Sequence, residues 1–454
     1  MTAPEPLEAR LSEALATAVL GIDTLWGGDV LSRSGTGRFI ADSWFSDRPL
    51  PAAYRHPAAA ALRASGGVAG QAPDPRALDA YLEAVDLAGA LGELASAALA
   101  CGGARGRYLS GLAEALEVMW ALALERAGRG PAPSYERCVL ASTGRAPRPA
   151  EPEEKRERLR ALLEREGYPS ASPGGLLAAV ERWRRERLVP PRALPLLADA
   201  LVAQFEKGAA LHVLPHLPPP LRGIPIANVV FETIADAWFS GSMNYLGRAR
   251  GEDGSPLYEA TYEVNASLEI SVPEFAQLVS HEVVPGHVTT FALLQAQHVA
   301  GRLGFEATVL TMCTRASTLF EGIANNAILL AFGVRRPEEL PRPDLEIGTL
   351  LAHLQDDAKS EASYLTWARG APREEVARVL REEFLCSEER ADKLSGAWGR
   401  HPLLGRMYLP AYRVGTEAVA ALVERHPPGR LLPALFGALG LVDVVTVASA
   451  LEGA

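Results

Sequence analysis

Cysteine is scarce in this chain: four residues in 454, at Cys101, Cys138, Cys313 and Cys386, far apart and without a CxxC pair. That spacing offers neither a disulfide framework nor a thiolate metal site, and it fits free thiols in a reducing cytoplasm. No Lys/Arg cluster stands apart from acidic neighbours, and the formal charge of −10 is spread along the sequence, so nucleic acid is not an expected partner. The charged run from Glu151 to Glu166 mixes both signs and reads as a solvated helix face. The opening MTAPEPLEARLSEALATAV has early acidic residues and no basic segment before an apolar one, unlike a secretory signal. The apolar stretch from Leu431 to Ala450 is interrupted by Pro433 and Asp443; it reads as a buried helix, and no membrane partner is expected. No fixed-period repeat occurs.

What is present is apolar and helical. Apolar residues form 48% of the chain, enough for one large domain or two ordinary ones. Helical periodicity covers residues 5–26, then 77–127 as two helices broken near Cys101-Gly102-Gly103. Three more fall in 151–167 and 173–207, interrupted at Gly167-Tyr168-Pro169 and Pro190-Pro191, and the Pro-rich stretch from Thr143 to Pro152 is a loop. Leu214 to Pro225 holds five prolines in twelve residues, which divides the chain into a helical half, 1–213, and a second half, 214–454. Asn228 to Phe239 could be strand or loop. Leu257 to Ile270, rich in β-formers, is the one convincing strand region, and helices are expected from Val272 onward.

The most informative segment is His281-Glu282-Val283-Val284-Pro285-Gly286-His287. Two imidazoles can supply neutral nitrogen ligands to zinc, and a carboxylate beside the first can take a proton from metal-bound water. Six helical residues turn through about 600°, so an unbroken helix would put the histidines on opposite faces. Pro285 cannot give an N–H to the carbonyl four residues back, and Gly286 tolerates unusual dihedrals. The chain is therefore expected to break there, returning both rings to one point.

HEVVPGH resembles the start of the HExxPGHxxQ signature of a bacterial family catalogued as domain of unknown function 885, whose members are similar to gluzincin metallopeptidases. Phe320-Glu321-Gly322-Ile323-Ala324 resembles that family's second motif, roughly EGWAxYxE. Tyr258 to Asn265 matches its strand ending in Asn, and Tyr412-Arg413-Val414-Gly415 its Tyr-x-x-Gly pattern. The resemblance covers about residues 240 to 420, roughly two-fifths of the chain. It departs at Thr290, Ile323, Asn326 and Ile328, where the family has Gln, Trp, Tyr and Glu. It implies a mainly α protein with a deep central cleft; the strand adds a small antiparallel β element beside the metal helix. The half 214–454 is then catalytic and 1–213 is a cleft wall.

Two histidines leave a catalytic zinc one protein ligand short, with the remaining position kept for water. Glu321 is the choice: it follows His287 by 34 residues, begins a helical stretch from Glu321 to Phe332, and sits among apolar neighbours. Asn325, one turn on, is a candidate to hydrogen-bond a ligand histidine, with Asp356 and Asp357 as further candidates. His353 reads as an ordinary surface or core histidine. Glu282 is the expected general base. The oxyanion donor implied by the resemblance is Tyr412, with His401 and Arg413 behind it. The strand bearing Tyr262, Val264 and Asn265 could take an extended substrate by strand addition, or serve only to pack.

The expected function is hydrolysis of a peptide or related small amide, with zinc as cofactor and manganese, cobalt or iron not ruled out by a His₂Glu set. The altered positions leave room for a non-peptide substrate. A helical binding protein that retains the metal is a third reading, opposed by the intact Glu282.

Overall fold

The computed structural model describes residues 6–32, 37–65, 73–171, 175–234, 241–265 and 269–453, and these are mainly α-helical. Leu11, Leu15, Val19 and Ile22 repeat at three- and four-residue spacing, and all are buried on one face of the helix Leu7–Leu25. That face packs on Leu87–Cys101 and Gly103–Arg126, which break at Gly102 where the sequence placed the interruption. A second core gathers Leu194–His212, Val272–Glu282, His287–Val299, Arg315–Asn325 and Leu409–Arg425.

Each core draws on both halves of the chain. Phe305, Leu403 and Met407 enter the first, while Phe45, Tyr108 and Phe205 enter the second. The proline run from Leu214 to Pro225 folds into the short 3₁₀ turns Leu214–His216 and Pro219–Leu221. It separates stretches of sequence rather than units of packing.

Five strands occur among the described residues: β1 (Ala41–Trp44), β2 (Val229–Ile234), β3 (Gly241–Tyr245), β4 (Ala260–Asn265) and β5 (Val309–Thr311). β1 pairs antiparallel with β5. The other sheet has the order β2-β4-β3, parallel on one side, with Val229 opposite Ala260, and antiparallel on the other, with Gly241 opposite Val264. The expected antiparallel element is thus a mixed sheet, and the expected strand is its centre. β4 is paired on both sides at Tyr262 and Val264, which therefore cannot receive a substrate by strand addition, while Asn265 is paired with Ile234 of β2. β5 also interrupts the run of helices expected after Val272; at three residues it is too short for alternation to register.

Among the described residues no single helix is long and apolar enough to cross a membrane. The apolar segment near the C-terminus forms two helices, Pro428–Leu435 and Val444–Glu452, with Asp443 accepting from the N–H groups of Val445 and Thr446.

Candidate metal centre

The helix Val272–Glu282 stops where the Pro-Gly pair demands, and the next begins at His287. A Cβ on Gly286 would lie 1.8 Å from the His281 carbonyl oxygen, so only glycine lets the chain fold back this closely. The Val284–Pro285 peptide is cis. Thr290 Oγ1 donates to the Gly286 carbonyl at 2.8 Å, and Thr289 Oγ1 donates to that of Ile226, also at 2.8 Å. The break thereby has its own bonds. It brings the two imidazoles to a centroid separation of 4.8 Å with their planes at 88°.

Glu321 comes from the helix Arg315–Asn325, started by a reciprocal Thr314–Ser317 cap. The helix begins six residues before the position expected from sequence, so Glu321 lies within it and the N-terminal dipole does not explain its presence. One atom from each of His281, His287 and Glu321 lies within 4.8 Å of the others. His281 Nε2 stands 3.6 Å from Glu321 Oε2, and His287 Nε2 stands 3.8 Å from Oε1. These separations are too long for good hydrogen bonds. They approach the spacing of ligands that share one ion, whose bonds are about 2.0–2.2 Å each.

Further observations fit a metal here. Glu321 Oε2 is buried without a hydrogen-bond partner among the described residues, a costly arrangement unless something compensates. Asn325 Nδ2 donates to Thr416 Oγ1 at 2.8 Å, which turns its carbonyl oxygen toward His281 Nδ1 at 2.7 Å. His281 must then carry its proton on Nδ1, leaving the Nε2 lone pair free for a ligand bond. Thr416 Oγ1 in turn donates to Asp356 Oδ2 at 3.0 Å, and Asp356 pairs with Lys359 at 3.1 Å. Asn325 thus bonds His281 directly, and Asp356 stands at the far end of the same hydrogen-bond chain.

Burial holds His281 well below the ordinary histidine range and brings His287 down to about 4, so both rings are neutral. Burial pushes Glu321 up to about 7 against the opposing charge of Lys359. Glu282 is raised well above the usual carboxylate range, first by burial, then by the charges of Glu321 and Asp42.

Cluster and base line a cavity of about 440 Å³. Arg38, Phe39 and Asp42 form part of its wall, so residues from the first half do face the site. Tyr412 lines it too, with Lys359 Nζ 3.2 Å from the centre of its ring. Tyr408 had no place in the sequence reading. Its hydroxyl donates to Glu321 Oε1 at 2.6 Å, and its position four residues before Tyr412 was the available clue. Gly322 and Gly415 let these helices meet: a Cβ on the first would lie 2.3 Å from the Gly415 carbonyl oxygen.

Other candidates lie elsewhere or do other work. Arg413 faces a separate cavity of about 90 Å³ and donates to the Arg148 carbonyl, so it does not stand behind Tyr412 in the site. Asp357 pairs with Lys155 at 2.7 Å and takes no part in the Asn325 chain. His401 borders the cavity, but its Nδ1 accepts from the N–H groups of Leu403 and Leu404 and its ring packs beside Trp26 and Phe39. His353 is buried and outside the cluster. At the departures from the resembled motifs, Ile323 and Ile328 are fully buried, Thr290 ties the helix break, and Asn326 donates to the Gly322 carbonyl.

No family model and no curated protein matches this chain. Several solved structures are similar to it, among them two lipoproteins. "The crystal structure of the putative lipoprotein from Colwellia psychrerythraea" aligns with a TM-score of 0.52 at 14% identity, over 87% of this chain and 68% of that one. A "putative lipoprotein of unknown function from Shewanella oneidensis" aligns with a TM-score of 0.48 at 14% identity, over 87% of this chain and 76% of the other. At that identity, the first likeness is one of fold.

Proposed function

We propose that this chain is a metal-dependent hydrolase of peptide or related amide bonds. The observation that carries this reading is the convergence of His281, His287 and Glu321 beside Glu282 in one cavity wall. A divalent metal held by those three side chains, zinc in the first instance, would polarise a carbonyl and make water nucleophilic near neutral pH. Glu282, its affinity for protons raised by burial, takes the proton of the attacking water and returns it to the leaving amine. The Tyr412 hydroxyl serves as donor to the oxyanion. Asn325 and Tyr408 orient the ligands and perform no proton transfer.

The resemblance to the HExxPGHxxQ family belongs to this proposal and rests on the motifs alone. The cytoplasmic setting is likewise proposed, from four cysteines that are all unpaired. Cell fractionation tests it against the lipid-attached setting that the name lipoprotein gives the similar Colwellia psychrerythraea protein.

The direct test is elemental analysis of purified protein together with a peptide-library digest read by mass spectrometry. About one metal per chain and a defined set of cleaved bonds are expected. A metal-free protein that cleaves nothing would remove the proposal. Glu282→Gln should retain the metal and lose turnover.

A further inference from the structure

Asp42 is the charged group that the proposed chemistry leaves unused. β1 carries an irregularity at this residue: Ala41 stands opposite Thr311 and Ser43 opposite Leu310, so Asp42 has no partner across the pair. Such a bulge re-aims a side chain, and here the residue enters the cavity wall. Arg38 fixes the position. Its guanidinium donates to the carbonyls of Ser32 at 2.8 Å, Asp42 at 2.6 Å and Tyr245 at 3.4 Å, and to Ser43 Oγ at 3.2 Å. The arginine is thus spent on backbone and hydroxyl acceptors, and no ion pair with the Asp42 carboxylate forms among the described residues.

The other charges around the cavity are accounted for. Lys393 pairs with Glu389 at 2.7 Å, Glu282 is the base, and Glu321 belongs to the metal cluster. The Asp42 carboxyl lines the cavity with no hydrogen-bond or ion-pair partner among the described residues; burial raises its affinity for a proton, against the charge of nearby Arg38. It is not part of a second metal cluster: among the described residues, the one group of ligand side chains close enough together is His281, His287 and Glu321. A cavity of about 440 Å³ also falls toward the small end of ligand pockets.

We infer that Asp42 binds the free α-amino group of a short peptide seated beside the metal cluster. The inference rests on the hydrolase reading for the identity of the ligand as a peptide. An ammonium group matches the site because it brings a positive charge and up to three donors to a partly buried acceptor that has no hydrogen-bond partner among the described residues. Acetylation of that amine removes the charge and two of the donors.

The test uses the full chain with zinc, carrying Glu282→Gln so that peptides bind without turnover. Binding of Ala-Ala-Ala and of N-acetyl-Ala-Ala-Ala is compared by calorimetry. The free peptide should bind about 10- to 100-fold more tightly, the range for a hydrogen bond to a charged group. Adding Asp42→Asn should bring that ratio close to one, with metal content and Tm as checks on folding. Asp42→Ser serves if Asp42→Asn does not fold. Equal binding of the two peptides, binding of neither, or a preference that survives both substitutions overturns the inference. The hydrolase reading fails differently: the preference for the free amine remains, and no peptide is cleaved by the chain with Glu282 intact.

Discussion

Tyr408 donates its hydroxyl to Glu321 Oε1 at 2.6 Å, so a tyrosine from one helical segment fixes the carboxylate that closes the metal cluster. Tyr408→Phe keeps the ring and removes this bond, along with the hydroxyl's contact to Tyr412. Supporting partners of metal ligands are worth about 10- to 100-fold in affinity or activity. Metal competition with a chelator should show a loss in that range. Tyr412→Phe should instead keep the metal and lower kcat, because Tyr412 lines the cavity without bonding a ligand. Equal effects of the two substitutions on metal affinity would refute this division of labour.

A second prediction concerns the chain from His281 through Asn325 and Thr416 to Asp356. Asn325→Leu removes the acceptor that holds the His281 proton on Nδ1, so the ring loses both its tautomer and its orientation. Metal affinity should fall about 10- to 100-fold. Thr416→Val leaves Asn325 in place and breaks the next link, so its effect should be smaller. If both variants bind metal like the wild type, the chain is packing and nothing more.

The Pro285-Gly286 interruption and the approach of His281 to His287 were legible in sequence because they follow from helical geometry over a few residues. The contact of Asn325 with His281 joins two helices 44 residues apart, and only its spacing from Glu321 was local. What sequence missed depends on contacts between distant segments. Arg413 is one residue from Tyr412, yet their side chains face different cavities. Asp356 and Asp357 are likewise adjacent, and only the first points toward the site, as successive helical residues diverge by about 100°. Asp42 could not be found from its neighbours, since the bulge that aims it exists only against β5. The strand Ala260–Asn265 was recognisable by composition, but its place at the centre of the sheet depends on β2 and β3, whose segments alternate weakly.

Proton competition gives the third prediction. Burial raises Glu321 to about 7 in the metal-free protein, while His287 titrates only near 4. Below about pH 7, a metal must therefore displace a proton from Glu321; above it, the carboxylate is already free. Apparent affinity should rise with pH and then level off near 7, falling about tenfold per unit on the acid side. Chelator competition between about pH 5.5 and 8 measures the curve. A flat profile would mean that Glu321 does not take up the competing proton, and Glu321→Gln should flatten it by design.

The last prediction concerns the crossing of Arg315–Asn325 with Leu409–Arg425. Gly322 lies next to Glu321, and a methyl group there would meet the Gly415 carbonyl oxygen at 2.3 Å, well inside contact distance. Gly322→Ala must therefore push the second helix away or tilt it, at a cost of about 1–3 kcal/mol for an overpacked interior. Because the moved helix follows directly from Tyr408 and carries Tyr412, the displacement should weaken the Tyr408–Glu321 bond as well as stability. Calorimetric Tm and metal affinity should fall together, whereas alanine at the exposed helical position Gly92, which a Cβ would enter without meeting any atom, should leave metal affinity unchanged and raise Tm slightly. If Gly322→Ala lowers Tm while metal affinity holds, the two helices adjust without disturbing Tyr408. The glycine pair would then serve packing, and the placement of Tyr408 would depend on the turn Leu404–Tyr408 that precedes the helix.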